Sequence, residues 1–162
     1  MEMMLIGPGI WQKPLRLNNM AGEFPTAPDS FEGYQVGIDA VDCMKFKDSI
    51  SRTPRMLERL FSESELSECA DSPRRHLRLA ARFGAKEAVW KLLGVGLGGV
   101  DFKDVEIKSE KSGKPVIFLH GRALKLADSK GVRDISISLT HTNNVAIAIA
   151  IAKNYKYGNE KA

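Results

Sequence analysis

The chain has 162 residues, 43% of them hydrophobic and 27% charged, the size of one domain and the composition of an ordinary globular one, which excludes a disordered or fibrous class. Its 24 Lys and Arg against 20 Asp and Glu leave a formal charge of +4, too small an excess to require nucleic acid but compatible with an acidic partner. The two cysteines, Cys43 and Cys69, have no Cys or His at ligand spacing, so neither a disulfide framework nor a zinc site is indicated, and a reducing cytoplasm fits.

Residues 1–32 hold Pro8, Pro14, Pro25 and Pro28 and show no hydrophobic period; they read as an irregular arm. Their apolar stretch from Met3 to Ile10 is broken by Gly7-Pro8-Gly9 and preceded by Glu2, the pattern of neither a signal peptide nor a membrane span. A folded domain is expected over 33–153 and a polar tail over 154–162. Tyr34, Val36, Ile38 and Ala40 alternate with Gln35, Gly37 and Asp39, a strand with one apolar face that leaves Asp39 on the other.

From Asp42 to Cys69 the pattern is helical. Pro54 can open a second helix, and Ser62 with Glu65 forms a candidate capping box for a third. Ser72-Pro73 precedes the longest helix, which runs to about Leu93 and stops at Gly94. A glycine-rich loop follows to Gly99; it lacks a Gly-Lys-Ser/Thr ending and follows a helix, so it is not a Walker loop. Val105–Ile107 and Val116–Leu119 are expected as strands joined through Ser112-Gly113-Lys114, with Pro115 at a strand start. Ala123–Ala127 is a short helix. The last unit sets Ile135, Ile137 and Leu139 against Val145, Ile147, Ile149 and Ile151 across Thr142-Asn143-Asn144, with Ala146, Ala148, Ala150 and Ala152 on the other face. The class is α+β, helices on a largely antiparallel sheet.

The long helix carries most of the chemistry. At 100° per residue with Glu87 at zero, Leu77, Ala81, Gly84, Ala88 and Leu92 fall at about 60–140° and Leu79, Phe83 and Trp90 at about −40 to −80°. Glu87 and Lys91 lie between these two apolar arcs. An i, i+4 ion pair is the ordinary reading of such a couple, contributing about 0.3–0.5 kcal/mol. The functional reading is a desolvated carboxylate able to hold a hard cation with Asp39 as second acid, and an ammonium in reach of an anionic substrate. Arg78, Arg82 and Lys86 form a stripe at about 180–260°, a solvated face by default and a phosphate-binding face otherwise. Lys45, Lys47, Arg52, Arg55 and Arg59 form a further basic set in the first helices. His141 follows a strand just before a turn, where a solvated role is the ordinary one.

Taken together, Val36-Gly37-Ile38-Asp39, Arg82-Phe83-Gly84-Ala85-Lys86-Glu87-Ala88 followed by Lys91, Gly113-Lys114-Pro115 and Ser138-Leu139-Thr140-His141-Thr142 resemble the 4′-phosphopantetheinyl transferases in their small form, the holo-acyl-carrier-protein synthases. The resemblance covers about Tyr34 to Lys153. It implies an α+β homotrimer with sites at subunit contacts. It also implies a reaction: the phosphopantetheine arm of coenzyme A moves to a serine of apo-acyl carrier protein, freestanding or within a fatty-acid synthase, and adenosine 3′,5′-bisphosphate is released.

By the resemblance Asp39 and Glu87 hold magnesium. Lys91 lies near the transferred phosphate, and His141 with Thr140 at the coenzyme A phosphates. Arg82, Lys86, Gly113, Lys114 and Pro115 belong to cofactor binding. Glu87 or a metal-bound water takes the serine proton, and Lys45, Arg52 and Arg55 steer the acidic carrier. Lys45 stands where the family usually has arginine, and Thr140 where serine is common. A non-catalytic module that binds coenzyme A or an acidic protein would keep the basic stripe without needing both acids. An RNA-binding protein would interleave exposed aromatics with its charges; here the aromatic fraction is 7%, and no nucleic-acid or membrane partner is expected.

Overall fold

Strand β1, Tyr34–Asp42, opens the fold, and Asp42 ends it by accepting hydrogen bonds from the Met44 and Lys45 N–H groups. That cap starts α1, Cys43–Arg52. The computed structural model describes residues 33–96 and 99–155; the arm expected over 1–32 and residues 156–162 of the expected tail lie outside the described residues. Helix α2 is Arg55–Leu60 and α3 is Glu63–Cys69, the latter started by a complete capping box between Ser62 and Glu65. Helix α4, Arg75–Leu93, ends at Gly94 in the left-handed region (φ 66°).

A 3-10 turn at Phe102–Asp104 leads into the hairpin β2, Val105–Ser109, and β3, Pro115–Leu119. The short helix expected around Ala123–Ala127 extends over Gly121–Lys130 as α5. Strands β4, Val132–His141, and β5, Val145–Asn154, follow. The main sheet is antiparallel with order β1-β5-β4, and β2–β3 is a separate two-stranded sheet.

Which face of the main sheet is covered depends on α4. Ala146, Ala148, Ala150 and Ala152 are buried, together with Ala85, Ala88 and Leu92 of the helix. Small residues on both sides let backbones approach. A Cβ on Gly37 would collide with the Ala88 carbonyl oxygen, and one on Gly84 would stand 3.2 Å from Val41. The branched side chains therefore point outward. Val36 and Ile38 are each 58% exposed, and in register Ile151 stands opposite Val36, Ile149 opposite Ile38 and Ile147 opposite Ala40. This is a contiguous apolar sheet face of the kind that marks an interaction surface.

On the side of α4 away from the sheet, Phe46, Phe83, Phe102 and Trp90 form a chain of ring contacts with centroids 5.5, 5.4 and 4.1 Å apart in that order. No helix among the described residues is long and apolar enough to cross a membrane.

Candidate active site

Asp39 sits on the inner, polar face of β1, opposite Gly84, whose missing side chain leaves the Asp39 carboxylate 3.6 Å from where a Cβ would be. Two turns further along α4, the Lys91 ammonium donates to Asp39 Oδ1 at 2.8 Å and to the Ile38 carbonyl at 3.0 Å. This corrects the i, i+4 pairing: the partner of Lys91 is Asp39 across the strand–helix contact, not Glu87. Burial pushes the Glu87 carboxyl above its ordinary pKa, and the negative charge of Asp39 pushes it further, with Lys91 opposing both. Two acids and one ammonium thus share one spot at the β1 edge, and the ammonium remains half exposed. Like charges held this close in a partly dry site favour a cation between them.

The stripe Arg78–Arg82–Lys86 is not a solvated face, and two of its members are buried. Lys86 is fully buried and donates to Glu65 Oε2 at 2.8 Å and to the Phe102 carbonyl at 2.9 Å. Glu65 in turn accepts from the Ser62 and Ile107 N–H groups. Arg82, 4% exposed, donates to Glu68, Ser109 and the Ile107 carbonyl. The resemblance assigned both to cofactor binding; in this structure both are bonded inside the protein. Both cations fasten α3 and β2 to α4, Arg82 through three bonds and Lys86 through two.

His141 lies elsewhere. Burial lowers the His76 pKa first, and the nearby charges of Lys47 and His141 lower it further, so His141 neighbours the first turn of α4. Across the sheet His141 pairs with Ala146 and Ala146 with Val41, so His141 stands two strands from β1 and two residues beyond the row of Asp39. Thr140 is exposed on the outer face, paired with Ile147. Gly113, in the left-handed region at φ 86°, and the exposed Lys114 make the β2–β3 turn, with open space around Gly113. The chain therefore brings Asp39, Glu87 and Lys91 together and holds His141 two strands away on β4. None of the contacts recorded for Thr140 and Gly113-Lys114-Pro115 reaches that cluster.

Lys45, Arg52 and Arg55 are exposed on α1 and α2. A hollow of about 620 Å³ there is lined by Ser49, Arg52, Thr53, Arg55, Met56 and Arg59, so Arg59 joins the basic set expected to meet the carrier. His76 was not distinguishable in sequence, because its neighbours come from α1 and β4. Glu106 was also missed. Burial would raise its pKa, but hydrogen bonds from Ser64, Ser62 and His120 and the charge of Lys108 outweigh burial and hold it at about 2.

The family description of the 4′-phosphopantetheinyl transferase superfamily matches residues 35–152. A holo-[acyl-carrier-protein] synthase of Moorella thermoacetica is 42% identical over 120 residues, 74% of this chain and 94% of that protein. One of Carboxydothermus hydrogenoformans is 42% identical over 119 residues, 73% of this chain and 96% of that protein. Among solved structures, the Helicobacter pylori holo-[acyl-carrier-protein] synthase in complex with coenzyme A superposes with a TM-score of 0.64 at 30% identity, covering 73% of this chain and 99% of that one. The Neisseria meningitidis enzyme of the same name gives 0.67 at 26%, covering 74% and 97%.

Proposed function

The chain belongs to the 4′-phosphopantetheinyl transferase superfamily, and from that premise we propose that it moves the 4′-phosphopantetheine arm of coenzyme A onto a serine of apo-acyl carrier protein, with magnesium as its cation. The serine oxygen forms a bond to phosphorus, the phosphoanhydride bond breaks, and adenosine 3′,5′-bisphosphate leaves with the electron pair. Such a displacement needs alignment and charge neutralisation more than covalent help. The observation that carries the reading is the cluster Asp39–Glu87–Lys91.

Two hard carboxylate donors with no third His, Cys, Asp or Glu grouped with them among the described residues suit magnesium, which completes its shell with water and phosphate oxygens. When bound it supplies neutralisation of pyrophosphate charge. Asp39 and Glu87 would hold the cation, and Lys91, 53% exposed, would place its ammonium against the charge of the transferred phosphate. The serine proton goes to Glu87 or to water.

The carrier docks on the arginines of α1 and α2, where opposite charge steers encounter. His141, Thr140 and Gly113-Lys114-Pro115 serve the coenzyme A phosphates and nucleotide of a neighbouring subunit in a homotrimer. One feature supports this: an apolar outer sheet face that the chain itself leaves open. Two buried free cysteines suit a cytoplasmic setting. The test is intact mass of apo-acyl carrier protein after incubation with coenzyme A and magnesium. Gain of one phosphopantetheine group is expected. Coenzyme A binding without mass gain would replace the reading by that of a binding module, and a monomer by light scattering at micromolar concentration would remove the trimer.

A further inference from the structure

We propose that Gly37 is a positioning residue for the two acids: by carrying no side chain it sets the separation of β1 and α4 at which Asp39 and Glu87 can share one small divalent cation. The proposal rests on the transferase reading above and on magnesium as its cation. Gly37 lies two residues before Asp39 on the same, inner face of β1. A Cβ there would fall 1.9 Å from the Ala88 carbonyl oxygen and 2.7 Å from the Leu92 nitrogen. Ala88 follows Glu87 in the chain, and Leu92 follows Lys91. The closest approach of strand and helix therefore falls at the turn of α4 that carries the acid and the ammonium.

What would meet a side chain at position 37 is backbone. A side chain in the way can change rotamer, but a peptide group inside a helix moves only with the helix, and a packed interior transmits the strain. Gly84 makes the contrast. A Cβ there would meet Val41 Cγ2 at 3.2 Å, Asp39 Oδ2 at 3.6 Å and Ala148 Cβ at 3.8 Å, all side-chain atoms. Gly84 thus leaves room beside the carboxylate, whereas Gly37 decides how far apart the two elements stand. Even a methyl group at position 37 parts them by about 1 Å.

Such a displacement is read directly by the site. Asp39 moves with β1 and Glu87 with α4, while Lys91 spans the two through the Ile38 carbonyl at 3.0 Å and Asp39 Oδ1 at 2.8 Å. Burial, and after it the charge of Asp39, raises the Glu87 pKa, so the two carboxyl groups are already within electrostatic reach of each other. Magnesium demands near-ideal octahedral geometry with oxygens at about 2.0–2.1 Å, and calcium accepts about 2.3–2.6 Å in a flexible shell. A wider seam therefore penalises the smaller ion more.

The experiment measures binding of magnesium chloride and of calcium chloride, separately, by calorimetry on the full chain with coenzyme A present. Gly37→Ala is expected to weaken magnesium about ten- to a hundredfold and calcium by about threefold or less, because the larger ion tolerates the wider site. Ala148→Val is a gentler wedge in the same seam, since Ala148 is buried facing Gly84 and pairs with Asp39; it is expected to shift the preference in the same direction by about threefold. It carries the test alone should Gly37→Ala not fold. Val105→Ala loosens the core on β2, outside the main sheet, and should leave both constants unchanged, which separates spacing from general loss of stability. Equal losses for the two ions in the seam variants, or a change of preference as large in Val105→Ala, would overturn the proposal while wild-type transfer stands. Absence of transfer by the wild type would instead remove the transferase reading and the role of Gly37 with it.

Discussion

Lys86 and Lys91 are five residues apart on one helix, and each is paired with an acid at 2.8 Å. In the first pair both side chains are fully buried; in the second, Lys91 is 53% and Asp39 14% exposed. Desolvating two charges costs several kcal/mol each unless every lone pair and proton finds a partner. Glu65 and Lys86 meet that demand with the Ser62 and Ile107 N–H groups and the Phe102 carbonyl. A pair so enclosed has one arrangement and serves the fold. The Lys91–Asp39 pair has water on one side and a second acid, Glu87, beside it, so it can exchange partners. Distance alone would have made the two pairs equivalent; burial and the company of other groups separate them.

The largest effect should come from breaking the enclosed pair. Lys86→Met leaves the Glu65 carboxylate buried without a counter-charge and should cost about 3–5 kcal/mol by urea unfolding. Adding Glu65→Gln removes the stranded charge and keeps an acceptor for one of the Ser62 and Ile107 N–H groups, which bond to different carboxylate oxygens, so the double variant should be more stable than Lys86→Met. A loss under about 1 kcal/mol for the single variant would erase the distinction between the two lysines.

At the open pair the damage should fall on rate. Glu87→Gln and Asp39→Asn keep shape and remove charge; each should lower transfer by about 10²–10³ with the fold intact. The double variant should lose much less than the product of the two, since both act through one cation. Transfer rates for the four proteins across a magnesium titration check this, and Glu87→Gln at wild-type rate and magnesium dependence would make Glu87 structural.

Much of this was legible before the structure. Local signals give the elements: the Ser62–Glu65 box, the Gly94 stop, the Pro115 strand start and the small-residue stripe of α4 are all found where the sequence puts them. Helix phase and strand alternation offered Asp39 only as a candidate second acid for Glu87; their pairing was what the family resemblance implied. What sequence periodicity does not state is which face of β1 is covered. Val36 and Ile38 are the more apolar choice, yet Gly37 faces α4, because the helix can approach closely only over glycine and alanine. Partners across elements were equally hidden. Nothing local distinguishes Lys86 from a solvated lysine, since Glu65 is 21 positions away, and Lys91 prefers a strand carboxylate to its helical neighbour because β1 runs within reach.

A smaller effect tests whether the enclosed side of α4 depends on charge beyond Lys86. Glu106 sits next to that network, on β2 beside Ile107, with Ser62 of the capping box donating to it. Its pKa of about 2 lies below the usual carboxylate value. An acid held below its unfolded pKa contributes stability that is present above that unfolded value and is lost as pH falls through the window down to about 2. Between about pH 6 and about pH 3 the wild type should therefore lose about 2 kcal/mol more than Glu106→Gln. Equal acid sensitivity in urea titrations would remove Glu106 from the charge-dependent part of the fold.

The smallest expected effect on stability is also the sharpest test of the comparison. Lys91→Met removes the ammonium from Asp39, as Lys86→Met removes one from Glu65, but here water can solvate the carboxylate left behind. A half-exposed pair contributes about 0–1 kcal/mol, so the melting temperature without ligands should shift by a few degrees at most. The long methionine stem also keeps the apolar part of the lysine's packing. Transfer should nonetheless fall, because the charge facing the phosphate is gone, and added salt should lessen whatever small stability difference exists. A loss of 3 kcal/mol or more in Lys91→Met would place this pair with the enclosed one and make Asp39 a structural anchor. A stable variant with slow transfer would fix the division of α4 into a side that holds the fold and a side that faces the substrate.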